Sequence, residues 1–475
     1  MSAFYNAEVV LSWCLVHAIV KSNLLLPMSF NFYNSVIETR RSMCPREAHA
    51  TVQTMYAVIF IIVLTSVPDA NTFGNDVPQR PVYHRLGKPR PPRPFTATWN
   101  VNYTACWESF GVDLELEKFN IDANKPGEVS FIKLFDHAGI SMYPYLKGGK
   151  FVNGGLPQLV NMTSYLEKAT DDITNAIPDE NFSGLVVIDW EFWSPIWGEN
   201  FWPERRVYTE ESIAFVQRHH PDWDAAKVES VAKLEFETAG KALFEATVKL
   251  GKLLRPGGLW GFYHYPYCEN NVRHVGRCNA TAMKHNDQLR WLFDDTTAIY
   301  PSIYLKSADV GLNGSSAFVD ATLGEAFRVR EKSDNPLMPM YSYCRFNYSH
   351  TKYYYTMEDL KSTVLASAEK GLNGVIFWGD HNDTHDKESC VELKAYIHSA
   401  LGPLVRNITQ AASSCASTLC NNHGRCTGKI LECGEQKKTA SYLGQSKMKS
   451  HSVDNCQCQC SCYAGWSGPN CLAKQ

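Results

Sequence analysis

The sequence predicts an α/β fold: a parallel (β/α) barrel of the TIM type followed by a small disulfide-rich module. Three observations carry this. From Phe95 to about Val405 strand-like and helix-like segments alternate, the rhythm of a parallel sheet with crossover helices. Gly184-Leu-Val-Val-Ile-Asp-Trp190 is a near-continuous apolar run, the pattern of a strand buried on both faces. Nine of the 16 cysteines fall between Cys415 and Cys471, a density that marks a disulfide module in a secreted chain. With 475 residues, 44% of them hydrophobic, the chain can build one large core and an appendage.

Taken in chain order, residues 1–54 read as an N-terminal extension ahead of a start at Met55. Residues 55–70 have the shape of a signal peptide. Arg40, Arg41 and Arg46 precede an apolar run too short to span a bilayer, and small residues follow up to Ala70. The alternative is that this run anchors the chain. Residues 71–94 form a Pro-rich basic linker with Arg80, Arg85, Lys88, Arg90 and Arg93. A second reading makes it an arm that touches an anionic polymer.

Residues 95–405 are expected to form the catalytic barrel. Phe95–Trp99, Ser130–Leu134, Gly184–Trp190, Leu259–Tyr263, Ala298–Leu305 and Gly374–Trp378 read as strands. A long helix is expected from about Asp224 to Leu254. Val231, Leu234, Ala242, Ala246, Leu250 and Leu253 mark its buried stripe, and Pro256-Gly257-Gly258 stops it. No later stretch is apolar enough for a membrane helix. In residues 410–475, Cys415-x4-Cys420-x5-Cys426 and Cys460-Ser-Cys462-x8-Cys471 resemble an EGF-like module. A polar insert, Thr427 to Cys458, interrupts it and carries Cys433, Cys456 and Cys458. Eight Asn-x-Ser/Thr sequons, at Asn102, Asn161, Asn181, Asn279, Asn313, Asn347, Asn382 and Asn407, support passage through the secretory pathway.

Charge is nearly balanced, 46 basic against 49 acidic residues. No whole-protein field pulls in nucleic acid or a membrane, so any polyanionic partner must be held by local basic groups. The histidines include no His-Glu-x-x-His, and phosphate-binding glycine loops are absent, so neither metal nor cofactor is expected.

Asp189-Trp190-Glu191 carries the chemistry. Carboxylates two apart on a strand point to one face, ~6.5–7 Å apart, with Trp190 turned into packing. They close the apolar run, at the strand end where barrel enzymes place catalytic groups. Two such groups in a partly apolar cleft cannot both ionise easily. One pKa rises, and that group can serve as an acid near neutral pH, as glycoside hydrolysis requires. Neighbours on one strand approach a sugar from one side, so Asp189 is badly placed to attack the anomeric carbon. The substrate's N-acetyl oxygen can act instead, with Glu191 as acid and Asp189 orienting the acetamido group. A salt-bridge or capping role explains an isolated Asp-x-Glu equally well.

The wider text narrows this choice. Gly184-Leu-Val-Val-Ile-Asp-Trp-Glu-Phe-Trp193 resembles the signature of the hyaluronidases, glycoside hydrolase family 56. So do Phe95-Thr-Ala-Thr-Trp-Asn100, Met142-Tyr-Pro-Tyr145, Val152-Asn-Gly-Gly-Leu-Pro-Gln158, Gly258-Leu-Trp-Gly-Phe-Tyr263, Asn286-Asp-Gln-Leu289, Tyr300-Pro-Ser-Ile-Tyr304 and Gly374-Val-Ile-Phe-Trp378. The match runs in order from about Phe95 to the end.

The resemblance implies a distorted barrel with a groove for a long glycosaminoglycan. It implies cleavage of internal β-1,4 bonds after N-acetylhexosamine, with retention and substrate assistance, by a secreted or lysosomal monomer. Glu191 looks like the acid/base and Asp189 the acetamido positioner. Tyr263 and Tyr304 look like the hydroxyls around the reacting sugar, and Trp378 the wall beneath the acetamido methyl. Asn100, Tyr143, Trp193 and Ser302 match substrate-binding positions. Cys106 with Cys390, and Cys268 with Cys278, match two barrel disulfides. Cys415 with Cys426, Cys420 with Cys460, and Cys462 with Cys471 match three in the module. Cys344, Cys433, Cys456 and Cys458 have no assigned partner. The chain departs from the family at Ser194, where Arg is usual, and at Tyr267, where an acidic residue is common. Hyaluronan and chondroitin both remain open as substrates. A catalytically inactive glycosaminoglycan-binding or adhesion protein is the alternative from another class.

Overall fold

A computed structural model describes residues 93–125, 130–268, 276–306, 314–433 and 457–475. The N-terminal extension, the signal-like segment, almost all of the basic linker, Asn313, Cys456 and most of the polar insert lie outside the described residues.

The core is built on short parallel strands: β1 (Thr96–Trp99), β2 (Ile121–Ala123), β3 (Ile132–Phe135), β4 (Leu185–Ile188), β5 (Leu259–Phe262), β6 (Tyr341–Arg345) and β7 (Gly374–Trp378). They form a four-stranded sheet in the order β2-β1-β7-β6 and a three-stranded sheet in the order β3-β4-β5. Every pairing in both sheets is parallel. Between β5 and β6 lies the segment expected as the strand Ala298–Leu305. It makes only single bridges, Tyr263 with Tyr300, Ile299 with Met340 and Ser302 with Tyr343, and so links the two sheets. Across the remaining seam from β2 to β3, Asn124 stands in for a ladder. Its Nδ2 donates to the Ile132 carbonyl at 2.7 Å, and its Oδ1 accepts from the Phe131 amide at 2.8 Å.

The apolar run in β4 is explained by burial on both faces: Leu185, Val186, Val187 and Ile188 are all buried. Leu185 and Val187 join Ile132, Ala298, Tyr300, Tyr343 and Ile376 in one inner cluster. Val186 and Ile188 face the larger outer cluster with Phe244, Trp260 and Phe262. β6 was not legible in the sequence because Tyr-Ser-Tyr-Cys-Arg lacks an apolar run. Its buried Ser342 hydroxyl bonds the Ser367 hydroxyl at 2.9 Å instead.

The long helix runs Ala225–Leu254, capped by the Asp224 carboxylate, which accepts from the Lys227 amide at 3.0 Å. Its expected stripe is off-centre: Val231 and Leu250 pack half-buried against core clusters, but the rest lies to one side of the buried face. Leu234 and Leu253 are 65% and 78% exposed, and the buried face is Val228, Ala232, Phe236, Gly240, Leu243, Phe244, Thr247, Val248 and Gly251. Small residues belong to that face because rings press on it. A Cβ at Gly251 would lie 2.6 Å from the Trp260 indole, and one at Gly240 would lie 3.2 Å from Trp193.

Across the stretch between residues 405 and 410 the chain continues as one helix, Gly402–Leu419, which carries Cys415 into the core. Beyond it, Gly424–Gly428 pairs antiparallel with Cys458–Cys462. Disulfides join Cys106–Cys390, Cys268–Cys278, Cys415–Cys426, Cys420–Cys460 and Cys462–Cys471, as the resemblance implied. A sixth joins Cys433–Cys458, which the sequence left unassigned. Cys344 is a buried free thiol that burial pushes up to about 12, too high to react as thiolate. The sulfurs of Cys415, Cys433 and Cys458 lie within 4.8 Å of one another, but each is held in a disulfide and offers no thiolate to a metal.

Candidate active site

The C-terminal ends of the parallel strands bring the predicted residues together. The Asp189 amide donates to the Phe135 carbonyl at 2.8 Å, so the β3–β4 pairing extends one residue past Ile188. Side chains then alternate. Asp189 turns inward. Trp190 is buried on the other side, its ring stacked on Tyr143 at 4.6 Å and packed against Phe244 and Phe262. Glu191 is exposed on the cleft.

Burial, then the Glu191 charge and hydrogen bonding toward Glu191, push Asp189 up to about 8, far above the ordinary carboxylate range. The raised value thus falls on Asp189, the more buried of the two. Asp189 Oδ1 is buried and accepts no hydrogen bond among the described residues.

Around this pair stand hydroxyls and rings from neighbouring strands. The Tyr263 hydroxyl lies 3.1 Å from Ser302 Oγ, and its ring lies 6.0 Å from Tyr304. Burial, then the Glu191 charge, raises Tyr263; burial, then Tyr263, raises Tyr304. Both therefore stay phenols. Asn100 Nδ2 donates to the Tyr343 hydroxyl at 3.0 Å, and Tyr343 meets Tyr263 edge-on at 5.0 Å. Trp378, at the end of β7, is half-buried and packs, like Tyr263 and Tyr304, against the inner cluster.

Two expected groove residues are corrected. Tyr143 and Trp193 are both 0% exposed. They stack on each other at 5.5 Å, and the Trp193 indole N–H donates to the Pro144 carbonyl at 2.8 Å. With no free surface, neither ring meets a polymer; they form the floor on which Trp190 rests. One sequon is corrected as well. Asn347 is 1% exposed, accepts from Arg345 Nε at 3.0 Å and donates to Asp383 at 2.6 Å. A glycan on that nitrogen would break the network. Asn102, Asn161, Asn181, Asn382 and Asn407 are exposed and Asn279 is half-exposed.

Sequence reasoning missed several neighbours. Tyr343 lies on the strand that carried no apolar signal. Glu199 and the His285 ring are hydrogen-bonded in the pocket that Glu191 also lines, 86 positions apart in sequence with no motif to announce them. Arg205 Nε donates to the Glu191 carbonyl at 3.0 Å. Burial first and the Arg205 charge second hold His264 down at about 3, so its imidazole is neutral. Glu191, Trp202, Glu204, Arg205, His264 and Tyr267 border an open cleft of about 510 Å³.

The hyaluronidase family pattern matches residues 88–475. Human hyaluronidase-1 is 36% identical over 407 residues, spanning 81% of this chain and 93% of that protein. Pig hyaluronidase-3 is 37% identical over 393 residues, spanning 80% and 91%. The crystal structure of bee venom hyaluronidase in complex with a hyaluronic acid tetramer superposes with a TM-score of 0.61 at 33% identity. It covers 66% of this chain and 99% of that one. Parallel strands, a carboxyl pair at their C-terminal ends and a match over most of the length converge on one conclusion: the chain belongs to the hyaluronidase family of glycoside hydrolases.

Proposed function

We propose that this chain hydrolyses internal β-1,4 bonds of hyaluronan, with retention and with the substrate's own acetamido group as nucleophile. One observation carries the reading: a half-buried Asp189 of raised pKa, its Oδ1 enclosed and unpartnered, beside an exposed Glu191 at the strand ends. Glu191 reaches the cleft; the proton held between it and Asp189 passes through Glu191 to the leaving glycosidic oxygen, which leaves Asp189 ionised. The acetamido oxygen bonds the anomeric carbon as the carbon–oxygen bond to the leaving sugar breaks. Asp189 Oδ1, an acceptor without a partner, takes the acetamido N–H and faces the positive charge that develops there. Glu191, now a base, takes a proton from water, and that water opens the intermediate at the same carbon. Tyr263 and Tyr304, held as phenols, offer hydroxyls to the reacting sugar; Trp378 walls the acetamido methyl, and Asn100 and Ser302 position the ring of hydroxyls.

The linked succession of parallel strands supports a distorted closed barrel across residues 95–405, and the tail's disulfides and short hairpins support an EGF-like module. Six disulfides support a secretory route. A reducing-end release assay on hyaluronan beside unsulfated chondroitin, from pH 4 to 8, tests the substrate. Cleavage of hyaluronan with resistance of its de-N-acetylated form is expected. Normal hydrolysis of the de-N-acetylated polymer would overturn substrate assistance, and hydrolysis of neither native polymer would overturn the enzyme reading.

A further inference from the structure

We propose that Arg205, beside the exposed ring of Trp202, forms a uronate-binding subsite that ties polymer recognition to the loop carrying Glu191. The inference rests on the glycosidase reading and names the residue that would read the substrate's charge.

The position is unusual for a cation. Helix Pro203–His219 begins at the cleft, and Arg205 lies in its first turn. Helix N-termini favour negative charge, so an arginine there is placed against the dipole. Its neighbour Arg206 finds a carboxylate one turn on, Glu210 at 3.1 Å. Arg205 makes no ion pair among the described residues; its one side-chain bond is Nε to the Glu191 carbonyl. That leaves the paired outer nitrogens of the guanidinium, the fork that matches a carboxylate in a bidentate pair. The cation borders the same open cleft as Glu191. Its charge reaches the site, since it helps hold His264 neutral.

Nothing in the Asp-Trp-Glu-Phe-Trp-Ser motif supplies that charge. Ser194 is buried, and its amide and carbonyl are both bonded to the Asn200 side chain. Trp202, 43% exposed and packed against Phe201, offers an apolar face on the same wall. A ring face beside a guanidinium suits a pyranose that carries one carboxylate, and a glycosaminoglycan presents one in every disaccharide. Because Nε is anchored on Glu191, a carboxylate seated on the outer nitrogens also steadies the backbone of the acid.

Binding is measured with Glu191→Gln protein, which should hold polymer without cutting it. Two probes are used: hyaluronan oligosaccharides, and the same oligosaccharides with every carboxyl reduced to the alcohol. Glu191→Gln should prefer the native probe by about tenfold or more, the scale of a lost charged hydrogen-bonded pair. Adding Arg205→Met should erase the preference, so that both probes bind as the reduced one does. Arg205→Lys should restore part of it. In the active protein, Arg205→Met should lower kcat/KM for native polymer about tenfold or more, with KM raised by the lost uronate pair and kcat falling as well because the Glu191 carbonyl loses its Nε anchor. A preference that survives Arg205→Met, or a loss equal for both probes, would overturn the subsite. If the wild type cuts nothing yet the preference follows Arg205, the subsite stands and the glycosidase reading falls.

Discussion

At the scale of single residues, the site is governed by which carboxyl is buried. Asp189 titrates near 4 when unfolded and well above that when folded. Between those values the native state holds a proton that the unfolded chain has released, so this residue's contribution falls as pH rises through the window. Asp189→Asn should therefore be more stable than wild type at pH 8, by on the order of 2 kcal/mol, and no more stable at pH 4. Chemical denaturation at both pH values checks this; an advantage that grows toward acid would contradict the assignment. A second prediction concerns Asn347. Peptide mapping of secreted protein should find it unmodified while exposed sequons such as Asn181 and Asn407 carry glycans. The sequence announced the carboxylate pair because strand alternation is a property of local backbone. It misplaced Tyr143 and Trp193 because a motif does not report whether a ring faces the cleft or the floor beneath it. Burial of Asn347 was equally invisible, since its partners Arg345 and Asp383 are set by the fold.

At the scale of elements, helix Ala225–Leu254 shows where periodicity misleads. Its limits and its cap were legible from Asp224 and the Pro-Gly-Gly stop, but its buried face was read in part from Leu234 and Leu253, which in fact face solvent. The packing surface depends on glycine, because Trp260 lies against Gly251 and itself stacks on Phe135. Gly251→Val should destabilise the protein by about 1–3 kcal/mol through overpacking. Leu253→Ala, at an exposed position two residues away, should change stability by about 0.5 kcal/mol or less. Thermal unfolding of the pair separates these effects, and equal losses would contradict the observed face. β4 was legible because both of its faces are apolar, whereas β6 was hidden by serine, cysteine and arginine that are buried through specific polar partners.

At the scale of the molecule, distant segments are tied at both ends of the sheet. Cys106–Cys390 closes 284 residues between the helical turn after β1 and the helix after β7. From the far side, Arg425 in the tail hairpin donates to the Gly371 carbonyl and to Asn373 Oδ1, beside the start of β7. Replacing Cys106 and Cys390 together by serine should cost about 2–5 kcal/mol. Arg425→Met should lower the unfolding temperature while leaving KM for hyaluronan unchanged, since its partners lie at the strand ends opposite the cleft; a raised KM would contradict that separation. The alternating strands and helices and the cysteine-rich tail were legible at this scale. The Cys433–Cys458 bond and the continuous helix into the tail were not, because both depend on contacts made only once the chain is folded.

The central claim is that Glu191 gives the proton that breaks the glycosidic bond. Reducing-end release from hyaluronan should be measured for wild type and Glu191→Gln at equal concentration, with polymer binding followed in parallel. The predicted result is loss of cleavage by at least about a hundredfold with binding retained, since general acid catalysis alone supplies about 10²–10⁴-fold. Turnover by Glu191→Gln within a few-fold of wild type would contradict it.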